Sequence, residues 1–136
     1  MFVRIIDFDR DAGPPEQRRL ADLPGRVVVG DPHHTATTLF NNPSGDFTAG
    51  TWTSTPGKWH AFTERDEFCY IVSGHVRLIA EDGYVQTFKS GDAFLIPNGF
   101  RGYWEVVETT TKHYVIRSYA GAPDVVDQRS TSPEMN

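Results

Sequence analysis

GKWHAFTERDEFCYIVSG, Gly57 to Gly74, read together with GDAFLIPNG, Gly91 to Gly99, decides the fold of this chain. Both segments join short apolar runs to turns. Phe68 to Val72 is apolar on both faces, which predicts a central, fully buried strand. Ser73-Gly74 is expected to turn the chain after it. In the second segment Ala93 to Ile96 is a further strand, closed by Pro97-Asn98-Gly99. That proline presets φ, and the two residues after it tolerate positive φ.

The same rhythm extends outward in both directions. Arg26 to Val29, Thr35 to Phe40, Phe47 to Thr53 and Lys58 to Thr63 read as strands on the N-terminal side. Beyond Gly74, His75 to Ala80 and Tyr84 to Phe88 flank Glu81-Asp82-Gly83, whose Asp-Gly suits a tight hairpin. Gly102 to Val107 and Lys112 to Tyr119 complete the pattern. About nine to eleven short strands at regular spacing make an all-β sandwich or barrel. Helical periodicity is confined to Pro15 to Leu23, where a short helical turn is expected between Pro15 and Pro24-Gly25. The expected organisation is an N-terminal extension over 1–25, a barrel over 26–119 and a tail over 120–136. The tail is polar and aperiodic, and reads as poorly ordered or as an arm laid on a neighbour.

A length of 136 residues suits one domain that needs no disulfide or metal to fold. Cys69 is the single cysteine, so no intramolecular disulfide is available. The formal charge of -5 argues against a nucleic-acid partner. Arg18-Arg19 reads as ordinary solvated charge. No run approaches the roughly 18 apolar residues of a membrane helix. The first residues, MFVRIIDFDRDAG, lack the features of a signal peptide. A cytoplasmic location is the expectation, with no membrane partner.

The two opening segments resemble the cupin superfamily, the small jelly-roll barrels also called double-stranded β-helices. The usual first motif there is His, any residue, His, four residues, Glu, six residues, Gly. Anchored on Glu67 and Gly74, it puts His60 on the first histidine and Phe62 on the second. In the second motif Gly91, Pro97 and Gly99 match, and Gly102 stands where a histidine is usual. More narrowly, Trp52, the string Thr55 to Trp59, Phe100-Arg101-Gly102 and Trp104-Glu105-Val106 look like the cupin subgroup named after the ureidoglycine aminohydrolase cupin domain. The likeness runs from Thr38 to Arg117. It implies a cupin barrel and small-molecule chemistry on a ureido- or amino-acid-like metabolite. A homodimer is expected separately, from exposed sheet edges that would pair between two copies.

A cupin metal is usually held by three histidines and one glutamate. Here only His60 and Glu67 stand in ligand positions. Cys69 lies two residues past Glu67 and so on the same inner face, and His113 is a candidate fourth donor if its strand faces inward. Imidazole, thiolate and carboxylate together suit Zn, and the wider donor set suits Mn, Fe or Ni. Against this, Cys69 reads equally as a small buried apolar residue, and the shortfall of ligands favours no cofactor.

Glu67 precedes an apolar strand and is expected to point into the barrel, where a carboxylate must be ligated, paired or protonated. With His60 assisting, it is the candidate catalytic acid or base. Trp59, Phe62, Cys69, Trp104 and His113 are candidate pocket residues, within an aromatic cluster that also includes Trp52, Phe100 and Tyr103. Arg101 suits an anionic group. His33-His34, after Asp31-Pro32, reads as an incidental loop pair. Three readings stay open. One is an enzyme using Glu67 and His60. Another is a non-catalytic binding or sensing cupin with a metal-free site. The third is a structural or oligomerisation role, with exposed sheet edges paired across a dimer.

Overall fold

The computed structural model describes residues 2–11 and 13–119. The expected tail over 120–136 therefore lies outside the described residues. Among the described residues, nine strands form a curled antiparallel sheet. They are β1 (Glu16–Arg19), β2 (Val27–Gly30), β3 (His33–Asn41), β4 (Phe47–Ser54), β5 (Gly57–His60), β6 (Arg65–Ala80), β7 (Val85–Lys89), β8 (Ala93–Ile96) and β9 (Gly102–Ser118). The all-β expectation holds, and the arrangement is a jelly-roll barrel.

Two long strands organise the barrel. β6 and β9 pair with each other from Arg65↔Ser118 to Ala80↔Gly102. At one end β9 also pairs with β4, and β6 with β8. At the other end β9 pairs with β5, and β6 with β7. Each long strand thus serves two layers and must bend between them. The register shifts between Ile71 and Val76 mark that corner, as bulges do where a strand changes sheets. Gly74 sits there at φ 114, and a Cβ on it would lie 2.2 Å from Thr110 Oγ1. The Thr110 hydroxyl accepts from His75 N and donates to Glu108 O, which binds the two bends together. Ser73-Gly74 is thus a corner within a continuous strand, where a chain-reversing turn was expected.

Two further expectations are corrected. Glu16–Arg19 of the anticipated helix is strand, because its backbone pairs with His33–Ala36 on the free edge of β3. Only Leu20–Asp22 closes a 3-10 turn. Tertiary pairing outweighs the weak helical propensity of so short a segment. Phe68 to Val72 is buried on one face alone. Cys69 and Ile71 are fully buried, while Phe68, Tyr70 and Val72 are 44%, 40% and 41% exposed. The outward residues are large and apolar, which hides the period of two.

Inward side chains of β4, β6 and β9 build the core, alternating along β9 and along each half of β6, whose inward parity switches at the corner between Ile71 and Val76. Trp52, Cys69, Ile71, Trp104, Val106, Tyr114 and Ile116 pack there with Trp59 of β5. Each tryptophan removes roughly 200 Å² from water, about 5 kcal/mol before the cost of ordering it.

Asp66 ties the turn before β9 to the end of β9. Its carboxylate accepts from Asn98 N at 2.7 Å and from the Tyr119 hydroxyl. The Tyr119 hydrogen bond, then that of Asn98, holds the Asp66 carboxyl below its ordinary value. A depressed acid contributes stability that is present above its unfolded pKa, about 3.9. That contribution is lost as pH falls through the lower folded value. Asp66→Asn should therefore flatten the acid limb of a plot of melting temperature against pH. An unchanged limb would show that this clasp contributes nothing to acid sensitivity.

Candidate functional site

A charged pair lies at the centre of the barrel. Glu67 and Cys69 project inward from β6, and Lys112 and Tyr114 from β9, by the alternation of antiparallel strands. Lys112 Nζ donates to Glu67 Oε2 at 2.7 Å, with side chains 0% and 1% exposed. The ammonium also lies 4.3 Å from the Trp52 ring centroid and 4.2 Å from that of Trp104. Two aromatic faces and a carboxylate thus stabilise a cation that burial alone would disfavour. Cys69 Sγ donates to the same Oε2 at 3.4 Å. Burial, reinforced by the Glu67 charge, pushes the Cys69 thiol well up, so it stays protonated.

The three tryptophans form a triangle around this pair. Ring centroids are 5.7 Å apart for Trp52 and Trp104, and 6.2 Å for Trp52 and Trp59. Trp59 and Trp104 stack at 6.2 Å with planes 7° apart. His34 wedges against Trp52 and Trp59 at 5.0 and 4.9 Å. The indole N–H groups of all three tryptophans are buried and meet no acceptor among the described residues.

The sequence-predicted site residues divide between the interior and the surface. Glu67, Cys69, Trp59 and Trp104 come together inside. His60 does not. On β5 Trp59 faces inward, so the next residue faces out, and the His60 ring packs on Tyr103 at 5.0 Å on the outer surface. Phe62 is buried in the connection from β5 to β6, with the guanidinium carbons of Arg26 and Arg65 3.2 and 4.7 Å from its ring centroid. His113 points outward from β9, between Phe8 and Tyr70, with Nδ1 3.0 Å from Thr51 Oγ1. Arg101 is exposed beside His60. Gly102 cannot be a vacant histidine position in this backbone. A Cβ there would lie 2.0 Å from Ile79 O.

These placements decide how well a divalent ion fits. The Glu67 carboxylate is engaged by an ammonium, the Cys69 thiol is neutral, and His60 and His113 face away. Among the described residues no group of three or more His, Cys, Asp or Glu is arranged to hold a metal. The donor set does not fit the metal that the cupin superfamily often carries.

Two interior residues escaped the sequence reading. Lys112 stands two residues before Tyr114 and four before Ile116, a parity that places it inside, but a lysine on a strand reads as surface. His34 starts no loop. It lies in β3 and is 1% exposed.

No curated protein matches this chain. Among solved structures, an ethanolamine utilization protein Q from Salmonella typhimurium shares 21% identity over 62% of this chain and 69% of its own, with a TM-score of 0.56. EutQ from Clostridium difficile shares 19% over 65% and 71%, with a TM-score of 0.57. A protein of unknown function from Pseudomonas syringae pv. tomato shares 21% over 78% of this chain but only 43% of its own length, with a TM-score of 0.64. At these identities the likeness is one of fold. The family profile of the EutQ-like cupin domain matches residues 41–114, more than half of the chain, and the chain belongs to the EutQ-like cupin family.

Proposed function

We propose that this chain is a metal-independent binding cupin that takes a small, acceptor-rich metabolite in its barrel. The observation that carries this reading is an excess of buried donors. Lys112 offers three N–H groups and the tryptophans three more. The three indole N–H groups meet no acceptor among the described residues, whereas Lys112 is engaged by Glu67 and by the faces of Trp52 and Trp104. An unmet buried donor costs about 1–3 kcal/mol, so a guest with carbonyl or carboxylate oxygens would be favoured there over an apolar one. The Lys112 ammonium, its charge balanced by Glu67, sits beside these indoles as part of a neutral pair rather than as a net positive charge. Ureido- and amino-acid-like molecules, the class suggested by the likeness to ureidoglycine aminohydrolase cupins, have this chemistry. The enzyme reading loses support because His60 stands outside the barrel and Glu67 is engaged by Lys112.

Titration with N-carbamoylglycine, hydantoin, glycine and acetate tests the proposal. Tryptophan emission and melting temperature should both shift for the acceptor-rich members, by about 2.7 kcal/mol of stabilisation at a hundredfold excess over Kd. Trp104→Phe keeps the ring face but removes one N–H, and should weaken binding about three- to tenfold. Silence across the panel, or stoichiometric metal in freshly purified protein, would sink this reading.

A further inference from the structure

We infer that a second site, on the outer surface where β5 meets the start of β9, binds a small oxyanion through Arg101, His60 and Lys58. The site is a cleft of about 360 Å³ whose lining includes His60, Thr63, Glu81, Arg101 and Tyr103. That volume is within the range of small-ligand sites.

The fold assembles these residues by simple parity. His60 and Tyr103 are cross-strand partners. Lys58 lies two residues before His60 on the same face, with Nζ 4.8 Å from the Tyr103 ring centroid. Arg101 directly precedes β9 and is held at the rim by its carbonyl, which accepts from Glu81 N at 3.0 Å. The neighbouring Gly102 contributes backbone alone, because a side chain there would strike Ile79 O.

Charge then selects the ligand. The chain carries a formal charge of -5. Several other surface cations are drawn to carboxylates, including Arg19 to Asp31, Arg77 to Glu105 and Arg117 to Asp46. Lys58, His60 and Arg101 have no ion pair among the described residues. Glu105, the cross-strand neighbour of Lys58, is bonded to Arg77 at 3.0 Å. Glu81 is the one carboxylate in the lining, set against Arg101 and His60, with Lys58 beside them on the Tyr103 ring. A guanidinium fork, an imidazole and the nearby hydroxyl residues Thr63 and Tyr103 match the planar or tetrahedral oxygens of a carboxylate or phosphate. The two sources share this chemistry.

The test is an NMR titration of uniformly labelled protein at low ionic strength, where exposed charges are least screened. The probes are inorganic phosphate, acetate and, as a control at matched ionic strength, chloride. The amides of Arg101, Gly102 and Tyr103 and the His60 ring protons should shift with phosphate, acetate or both. The probe that works identifies the oxyanion. Arg101→Gln, an exposed substitution, should weaken binding at least about tenfold, the loss expected for one charge-assisted contact. Trp104→Phe, which alters the barrel interior, should leave the cleft affinity unchanged, so failure here and failure of the barrel proposal are separable. Shifts that chloride reproduces, or an affinity indifferent to Arg101→Gln, would overturn the inference.

Discussion

Replacing Lys112 with methionine should lower the stability of the protein by about 3–5 kcal/mol, the usual cost of breaking a buried ion pair from one side. For a chain of this size that is a fall in melting temperature on the order of 10 °C. The cause is not lost volume, since methionine is close to lysine in length. It is the Glu67 carboxylate, 1% exposed, which loses the ammonium 2.7 Å away. The second arm separates charge from packing. Glu67→Leu combined with Lys112→Met removes both charges and should recover most of the loss, as apolar replacements of buried pairs often do. Chemical denaturation of the three proteins gives the cycle. A Lys112→Met protein within about 1 kcal/mol of wild type would show that the pair is not a coupled unit.

Gly102→His should be more damaging still, although it restores the residue that the cupin motif usually has. Its Cβ would lie 2.0 Å from Ile79 O and 3.0 Å from Ala80 Cα, against backbone that cannot rotate away. Its φ of 154 adds strain for any L side chain. Overpacking and backbone strain together predict a loss of about 3–5 kcal/mol. Gly102→Ala should carry most of that cost, because the obstruction begins at Cβ. Neither variant should gain stoichiometric zinc on dialysis, since one histidine does not supply the donors that His60 and Phe62 fail to provide. A stable, zinc-loaded Gly102→His protein would mean that β6 and β9 can part at this crossing, and that the barrel retains a latent metal centre.

The legible part of this molecule is what turns and parity encode. Gly91, Pro97 and Gly99 set backbone angles, and they marked the end of β8 and the approach to β9. Glu67 and Cys69 were placed on one inner face because they are two residues apart. The illegible part is what depends on which face a short strand shows. The motif count located His60 in the chain, but β5 is only four residues long and follows Pro56, so Trp59 took the inward position and His60 faced out. The corner at Gly74 looked like a chain reversal because bulge and turn use the same residue types. Lys112 was the largest omission. Its position was readable from Tyr114 and Ile116, but no local pattern announces that a carboxylate 45 residues away will receive its charge.

The long pairing of β6 with β9 also bears on how the chain reaches this structure. Neither layer can be completed until these two strands meet, and they meet only after the intervening hairpin and turn have been gathered in. Most of the remaining strands attach to edges that this pairing creates. The rate-limiting event expected from this topology is the closure of the intervening loop against chain entropy rather than the formation of any local hairpin. Folding belongs in the millisecond-to-second range typical of non-local β-proteins. A substitution at the Gly74 corner would then act on the speed of assembly as well as on the finished barrel.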